Sequence, residues 1–144
     1  MDLSRRHALA LGGAAVTISL IPINLAQAAA HSGKTAEAIK MFAGDADVAE
    51  GGVELTAPEI AENCNTVPIA VSADGAASIL IVADGNPLPD VITLNFGELA
   101  GSSSASTRIR LAGSQNVVAI AKMADGSFKS ASAAVKVTIG GCGG

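Results

Sequence analysis

The residue with the clearest chemical potential is Cys142, which lies near the C-terminal end of the sequence between two pairs of glycines. Glycine has no side chain to bury and has the greatest backbone freedom of any residue. A segment of this length spans at most about 16–18 Å when fully extended. The pattern therefore predicts a flexible arm that presents one thiol. The arm consists of Gly140, Gly141, Cys142, Gly143 and Gly144.

The thiol of Cys142 has no activating group beside it in the sequence. A free cysteine titrates near pH 8.5, so only a small fraction is thiolate at neutral pH. Removal of an N-terminal leader takes His7 away and leaves His31 near the new N-terminus. The folded part then has no histidine, which excludes Ser-His-Asp or Cys-His catalysis and a histidine-ligated metal. We expect a non-catalytic carrier with no cofactor and no metal.

Cys142 has three other interpretations that the residues leave open. It could form a structural disulfide with Cys64, the only other cysteine, as paired cysteines in exported proteins often do. It could also join two copies of the chain through an intermolecular disulfide. A terminal Gly-Gly is similar to the end of ubiquitin-like thiocarboxylate carriers. Those carriers act in the cytoplasm, and an export signal counts against that assignment.

The composition excludes several classes of protein. Of the 144 residues, 15% are charged and 2% are aromatic, and the formal net charge is −4. An acidic chain without a basic cluster or rings for base stacking does not fit a nucleic-acid-binding protein. Because the core must be built mainly from Val, Ile, Leu and Ala, we expect a modest core and a partner subunit.

Residues 1–30 have the three parts of an export signal. The basic pair Arg5-Arg6 precedes an apolar run, 8–25, and a small-residue segment, 26–30, suited to a signal peptidase. The adjacent arginines predict the twin-arginine route to the periplasm, although Ala8 stands where that motif usually carries Phe. Cleavage leaves seven basic and twelve acidic residues, a net charge of −5. The alternative, an uncleaved membrane anchor, is disfavoured by the glycines and polar residues in the run.

Residues 31–139 predict one domain made mostly of strands. A short helix is expected at 34–42, where apolar residues recur at helical spacing, followed by a solvated acidic loop at 45–54. Strands rich in Val, Ile and Thr are separated by turn residues such as Asp-Gly pairs. They are expected near 53–55, 66–73, 78–84, 90–96, 105–112, 115–123 and 128–139. About seven short strands predict an all-β, immunoglobulin-like antiparallel β-sandwich, with an up-and-down barrel as the alternative.

Other residues have weaker claims to a function. Arg108 and Arg110 lie on the polar face of a predicted strand and could attract an anion, although such pairs are usually a solvated face. Polar residues in turn contexts are expected to shape those turns, and they are Asp84, Asn86 and Asp125. Five apolar residues could form either core or a subunit interface, namely Ile79, Ile81, Val117, Val118 and Ile120.

Several segments together resemble the SoxY family, the sulfur-carrier subunits of the thiosulfate-oxidising multienzyme system. The most specific match is Gly-Gly-Cys-Gly-Gly after the predicted strand Val-Lys-Val-Thr-Ile. Supporting matches lie at 62–69 (ENCNTVPI), 86–89 (NPLP), 106–110 (STRIR) and 114–117 (SQNV). The twin-arginine signal agrees with this family, and the resemblance extends over nearly the whole chain.

The resemblance implies a periplasmic carrier that holds thiosulfate-derived intermediates covalently on Cys142. It implies a heterodimer with a second β-sandwich subunit of the SoxZ type. It also implies a haem enzyme that joins thiosulfate oxidatively to the cysteine sulfur, a hydrolase that releases sulfate and, in some organisms, a sulfane dehydrogenase. The alternative is a structural or interaction β-sandwich with a Cys64–Cys142 disulfide and no carrier role.

One residue departs from the family's pattern. Cys64 lies between two asparagines in a predicted turn, where the resemblance leads us to expect glycine. If the backbone there has a positive φ, a cysteine side chain costs about 1 kcal/mol or more. Cys64 is interpreted either as a local variant that leaves the fold intact or as a redox partner that shuts the carrier by an internal disulfide with Cys142.

Overall fold

The structure, a computed structural model, describes residues 33–138, which contain one helix and nine strands. The elements are α1 Gly33–Ala43, β1 Val48–Glu50, β2 Glu54–Thr56, β3 Ile60–Ala61, β4 Val67–Ser72, β5 Ala76–Ala83, β6 Asp90–Asn95, β7 Ser104–Ile109, β8 Gln115–Met123 and β9 Phe128–Val137. The predicted export signal, 1–30, and the predicted arm, 140–144, lie outside the described residues.

The strands form two sheets of unequal size, in a β-sandwich. The large sheet has the order β1-β9-β8-β5-β6, with β3 also paired with β9, and the small sheet has the order β2-β4-β7. Paired strands are antiparallel except that β1 and β3 run parallel to β9. The predicted β-sandwich with a short N-terminal helix is therefore confirmed, with two short parallel strands added to its edge.

The outer edge of β9 is covered by two short strands rather than one long strand. The first pairs β1 with Phe128–Ser130, and the second pairs β3 with Lys136–Val137. Between them the chain crosses to the small sheet as β2, and this bend uses Gly51 and Gly52 at φ 99° and 73°. Positive φ is accessible to glycine because it lacks a Cβ atom.

The predicted solvated loop at 45–54 is wrong in part, because residues 48–50 form β1. Glu54 begins β2, in agreement with the strand predicted near 53–55. The side chains of β1 are mostly exposed and carry no alternating apolar pattern. This strand is held by its backbone pairing with β9, which a side-chain pattern does not reveal.

The three Asp-Gly turns make two kinds of connection between strands. Asp84-Gly85 and Asp125-Gly126 each lie between two strands that pair with each other, as expected for hairpins. Asp74-Gly75 instead joins β4 of the small sheet to β5 of the large sheet, so this turn crosses between the layers. The same dipeptide therefore marks a turn in all three places but a hairpin in only two.

Apolar clusters occupy both faces of the large sheet. One fills the space between the two sheets, and the other lies beneath α1. The five apolar residues left open between core and interface are all at most 4% exposed, and they are Ile79, Ile81, Val117, Val118 and Ile120. They are therefore core. Phe42 of α1 meets Phe128 edge-on with ring centroids 5.9 Å apart, which fixes the helix on the sheet.

Candidate functional site

The predicted attachment residue, Cys142, and the four glycines around it lie outside the described residues. The structure does place Thr138, from which this segment continues. Four residues of chain lead from Thr138 to Cys142.

The end of β9 is anchored on two sides. On one side, the backbone N–H of Thr138 donates to the carbonyl of Ala61 in β3 at 3.1 Å. On the other side, the backbone N–H of Val137 donates to Oγ of Ser114 at 2.8 Å. The segment that carries Cys142 thus begins at a fixed position at one end of the sandwich, beside β3.

Cys64 lies in the turn that connects β3 to β4 at this same end. Oδ1 of Asn63 accepts a hydrogen bond from the N–H of Asn65 at 3.0 Å, and its carbonyl accepts from the N–H of Thr66 at 3.3 Å. The carbonyl of Cys64 accepts from the N–H of Leu111 at 2.9 Å. Cys64 is 0% exposed, and its sulfur is disulfide-bonded.

The backbone at Cys64 is of an ordinary kind. Among residues 33–138 no non-glycine residue has a positive φ. The strain expected if Cys64 replaced a left-handed glycine is therefore absent. The Asn63 side chain closes the turn by its own hydrogen bond, so the turn does not require glycine at the next position.

A cluster of hydrogen bonds around the side chain of Asn86 holds the loop between β7 and β8 beside Cys64. The side chain of Asn86 donates to the carbonyl of Arg110 at 2.9 Å and accepts from the N–H of Ala112 at 2.8 Å. It also accepts from Nε2 of Gln115 at 3.0 Å. Leu111 lies between the two residues whose backbone groups bond to Asn86, and its own N–H donates to Cys64. Asn86 therefore indirectly positions the turn that contains Cys64.

The hydrogen bonds around Asn86 were only partly predictable from the sequence. Sequence reasoning assigned Asn86 to a turn and did not anticipate its bonds to residues more than twenty positions away. The available signal is two amide side chains, Asn86 after one predicted strand and Gln115 at the start of another. These two residues do not indicate which loops come into contact in the folded protein.

Arg108 is exposed on β7 of the small sheet, whereas Arg110, also exposed, follows the end of β7 at Ile109 rather than lying in the strand as predicted. Arg108 lies opposite Pro68 of β4, and Arg110 lies just before the loop that contacts Cys64. Within residues 33–138, the ion pair found joins Lys40 and Asp45 and involves neither arginine. Both arginines are therefore exposed, and neither is in the ion pair found among the described residues.

The acidic residues assigned to turns do shape turns. Both carboxylate oxygens of Asp84 accept from Asn116, its N–H at 2.9 Å and its Nδ2 at 3.0 Å. Oδ1 of Asp125 accepts from the hydroxyl of Ser127 at 2.6 Å and from its N–H at 2.9 Å. The Ser127 hydroxyl, followed by the backbone N–H, lowers the pKa of Asp125 below 3.8.

Two further properties concern only residues 33–138. In that range no group of three or more His, Cys, Asp or Glu side chains is arranged to hold a metal ion. Likewise, the helix described there is not long and apolar enough to cross a membrane.

The sequence matches a family model described as sulfur oxidation protein SoxY over residues 19–142. The matched region includes all the described residues and extends to Cys142. No match was found among curated protein sequences.

Two solved structures show how far the similarity extends. The sulfur carrier protein SoxY from Chlorobium limicola f thiosulfatophilum is 32% identical, with a TM-score of 0.64 over 74% of this chain and 97% of that chain. A superoxide reductase (neelaredoxin) from Ignicoccus hospitalis is 16% identical, with a TM-score of 0.53 over 60% of this chain and 79% of that chain. The second similarity, at that identity, shows a shared fold alone.

Proposed function

The chain belongs to the SoxY family of sulfur oxidation proteins, and we propose that it holds thiosulfate-derived intermediates covalently on the thiol of Cys142 in the periplasm. Members of this family are sulfur carrier proteins rather than catalysts, and so is this chain. The observation that carries the finer proposal is that the family match extends to Cys142, the residue that sequence reasoning assigns as the attachment point.

The geometry at the end of β9 supports this assignment. The bonds to Ala61 and Ser114 fix the start of the C-terminal segment, while the four glycines beyond it add no side-chain bulk. A partner enzyme that docks at this end of the sandwich would bind the sulfur of Cys142 on a segment whose other residues are glycines without side chains.

The loading step uses only the sulfur atom of this chain. The thiolate of Cys142 and the terminal sulfur of thiosulfate form an S–S bond and give up two electrons. A haem-containing partner enzyme accepts those electrons. The product is a cysteine S-thiosulfonate, whose terminal sulfonate a hydrolase then releases as sulfate. The partner enzymes supply the base and the acid that these steps need.

The family implies partners from the sulfur-oxidising system in general. We propose a heterodimer with a SoxZ-type β-sandwich subunit, together with the haem-containing conjugating enzyme, the sulfate-releasing hydrolase and a sulfane dehydrogenase. Among the described residues, β6 and β7 are edge strands with no partner on their outer sides. Such edges offer backbone N–H and C=O groups to another sheet.

We propose the periplasm as the location because residues 1–30 have the parts of an export signal. The Arg5-Arg6 pair supports the twin-arginine route, which exports folded proteins. An oxidising compartment is also the one in which a disulfide at Cys64 persists.

The experiment that tests the carrier function compares the reduced mature protein with Cys142→Ser. Each is incubated with thiosulfate and the partner enzymes, and the intact mass and the electron transfer are measured. We expect a mass addition confined to the peptide with Cys142 in the original protein. The serine variant folds normally but acquires no adduct and supports no thiosulfate-dependent electron transfer. A serine variant with full activity contradicts the proposal.

A second candidate is favoured by one observation, the disulfide at Cys64. A structural or interaction β-sandwich with a permanent Cys64–Cys142 disulfide would have no carrier role. In that case Cys142 is dispensable, and protein purified from its native source never carries sulfur adducts on the C-terminal peptide. Adducts on that peptide after reduction and loading exclude this candidate.

A further inference from the structure

We propose that the outer edge of β6, together with an apolar groove between β6 and α1, is the docking surface for an edge strand of the second β-sandwich subunit. The docking strand has a large apolar side chain that enters the groove and a cationic side chain beside it. The proposal rests on the heterodimer proposed above. It gives that partner a place on the fold and a stated chemistry.

The first observation is the free edge of the large sheet. Among the described residues, β6 pairs with β5 alone. The N–H of Phe96, just after β6, donates to the carbonyl of Ala77 at 2.9 Å. Because the residues of an antiparallel strand turn alternately toward and away from their partner, the backbone groups of Thr93 and Asn95 point away from β5. Another strand can pair with them there.

The sequence of β6 lacks the features that usually prevent an edge strand from pairing. Soluble proteins protect such edges with charges, prolines and bulges. Here Pro89, Asp90 and an irregularity in the pairing with β5 are confined to the start of the strand. Residues 91–95 have no charge and no proline, and their apolar side chains are only half-buried against the cluster between the sheets. The free edge of β7, by contrast, contains Arg108.

The second observation is an apolar groove beside this edge. The groove lies between α1 and the start of β6 and has a volume of about 460 Å³. Leu80, which is 4% exposed, and Phe42 line it. So do Met41, which is 84% exposed, and Leu88, which is 75% exposed, two of the four exposed large apolar side chains among the described residues. Apolar side chains grouped in this way mark a surface that binds another molecule.

Thr93 connects the free edge with the groove. It lies opposite Leu80 of β5, so both side chains are on the face of the sheet that α1 covers, and both line the groove. On an added strand, the residue opposite Thr93 projects its side chain to the same face, with its Cβ atom ~5 Å away. A large apolar side chain at that position enters the groove between Met41 and Leu88.

The third observation is the charge around the groove, which selects among possible occupants. The carboxylates of Glu37 and Asp90 line it, while the ammonium of Lys34 donates to the carbonyl of Pro87 at 3.4 Å. Residues 33–138 contain twelve acidic and seven basic side chains. A second copy of this chain adds further negative charge, and like charges oppose association. A cationic side chain on the docking strand complements Glu37 and Asp90.

Hydrogen exchange followed by NMR tests the pairing at the edge. The mature protein is measured alone and with a purified SoxZ-type subunit from the same organism. We expect the amides of Thr93 and Asn95 to exchange at least tenfold more slowly in the complex, while the amides of β7 keep their rates. Protection of β7 instead of β6, or the absence of a complex, would overturn the proposal. Protection of β6 in a dimer of this chain alone would assign the edge to a second copy and would overturn it as well.

Substitutions in the groove test the apolar contact. Met41→Glu and Leu88→Glu each place a carboxylate where the partner's apolar side chain enters, and both side chains are exposed in the separate chain. We expect each variant to bind the subunit at least tenfold more weakly in calorimetric titration. Ile60→Glu is the matched control, since Ile60 is 58% exposed on β3 at the opposite edge of the sheet, and it should bind within twofold of the original protein. Unchanged binding by both groove variants refutes the contact.

Charge reversal tests the cationic part of the partner. We expect Asp90→Lys to weaken binding at least fivefold. Glu50→Lys changes the net charge equally but lies on β1 at the opposite edge of the sheet, and it should bind like the original protein. Equal effects of the two variants contradict a local charge complement at the groove.

The docking surface and the carrier function fail in different ways. If the carrier function is wrong, the subunit still protects Thr93 and Asn95, but the protein gains no sulfur adduct from thiosulfate and the partner enzymes. If the docking surface is wrong, the adduct forms, and these two amides exchange at the same rate with and without the subunit.

Discussion

At the residue scale, Asn63 explains how a cysteine is held in a tight turn. Its side-chain oxygen accepts the N–H of Asn65 across Cys64, and the backbone there keeps a negative φ. The residue between the two asparagines therefore needs no special conformation. Its side chain can be selected for its chemistry rather than for its backbone preference.

A second residue-scale feature, the hydrogen bonding of Asp125, gives a pH prediction. Ser127→Ala removes the hydroxyl that donates to Asp125 at 2.6 Å, the largest cause of its lowered pKa. We expect the pKa of Asp125 to rise toward 3.8 in the variant. Titration of its carboxyl carbon by NMR measures this shift. Ser102→Ala is the control, since the Ser102 hydroxyl contacts Ser104 instead.

The direction of the pH effect follows from the sign of the shift. A carboxyl whose pKa is lower in the folded protein favours folding above its unfolded pKa and loses this effect as pH falls through the folded value. For Asp125 that window lies below pH 3.8, and the group is fully exposed to solvent. An identical pKa in Ser127→Ala and in the original protein contradicts the role assigned to the hydroxyl.

At the scale of elements, the helix and the long strands were predictable because their apolar residues follow the helical or alternating period. The predicted helix at 34–42 is observed at Gly33–Ala43, and the strand predicted at 115–123 is Gln115–Met123. The short strands β1 and β3 were not predictable in this way. They contain three and two residues, and backbone bonds to a distant strand hold them.

The candidate site likewise has one part that was predictable from the sequence and one part that was not. Cys142 is predicted as the attachment residue from its own local pattern of glycines, and that stays a prediction. The anchoring of the end of β9 is not local, since Ser114 and Val137 are 23 positions apart and Ala61 and Thr138 are 77 apart. Such pairs come together only when the sheets assemble, so no short motif encodes them.

The anchoring of β9 by Ser114 gives a testable expectation. Ser114→Ala removes the acceptor of the Val137 N–H, a bond of 2.8 Å. A hydrogen bond of this kind contributes roughly 1 kcal/mol, which corresponds to a few-fold to tenfold faster amide exchange at Val137. Hydrogen exchange followed by NMR measures this. Ser72→Ala, which alters a bond to Glu54 in the small sheet, should leave Val137 unchanged; equal effects of the two variants argue against the anchor.

At the scale of the whole molecule, the sandwich contains few aromatic side chains. Only three aromatic residues occur in the sequence, all of them Phe. Two of these, Phe42 and Phe128, meet beneath the helix, while the space between the sheets is filled mostly by aliphatic side chains. A core of this kind buries less area per residue, which makes an additional covalent constraint more valuable to stability.

The disulfide at Cys64 should therefore affect global stability. If its partner is Cys142, the bond closes a loop of about 80 residues, and constraint of the unfolded chain contributes on the order of 2–4 kcal/mol. We expect reductant to lower the urea midpoint of the original protein. The midpoint of Cys64→Ala should not respond to reductant. Coincident curves for the original protein with and without reductant show that no such loop is closed.

The position of β9 also bears on how the molecule is made. This strand follows every other described strand in the chain, yet it lies inside the large sheet between β8 and the pair β1 and β3. During translation the earlier strands emerge first, and the gap between them is filled only when β9 leaves the ribosome. Cys142 comes five residues later than Val137. A polypeptide released before β9 is made thus lacks both the completed sheet and Cys142, the residue proposed to hold sulfur.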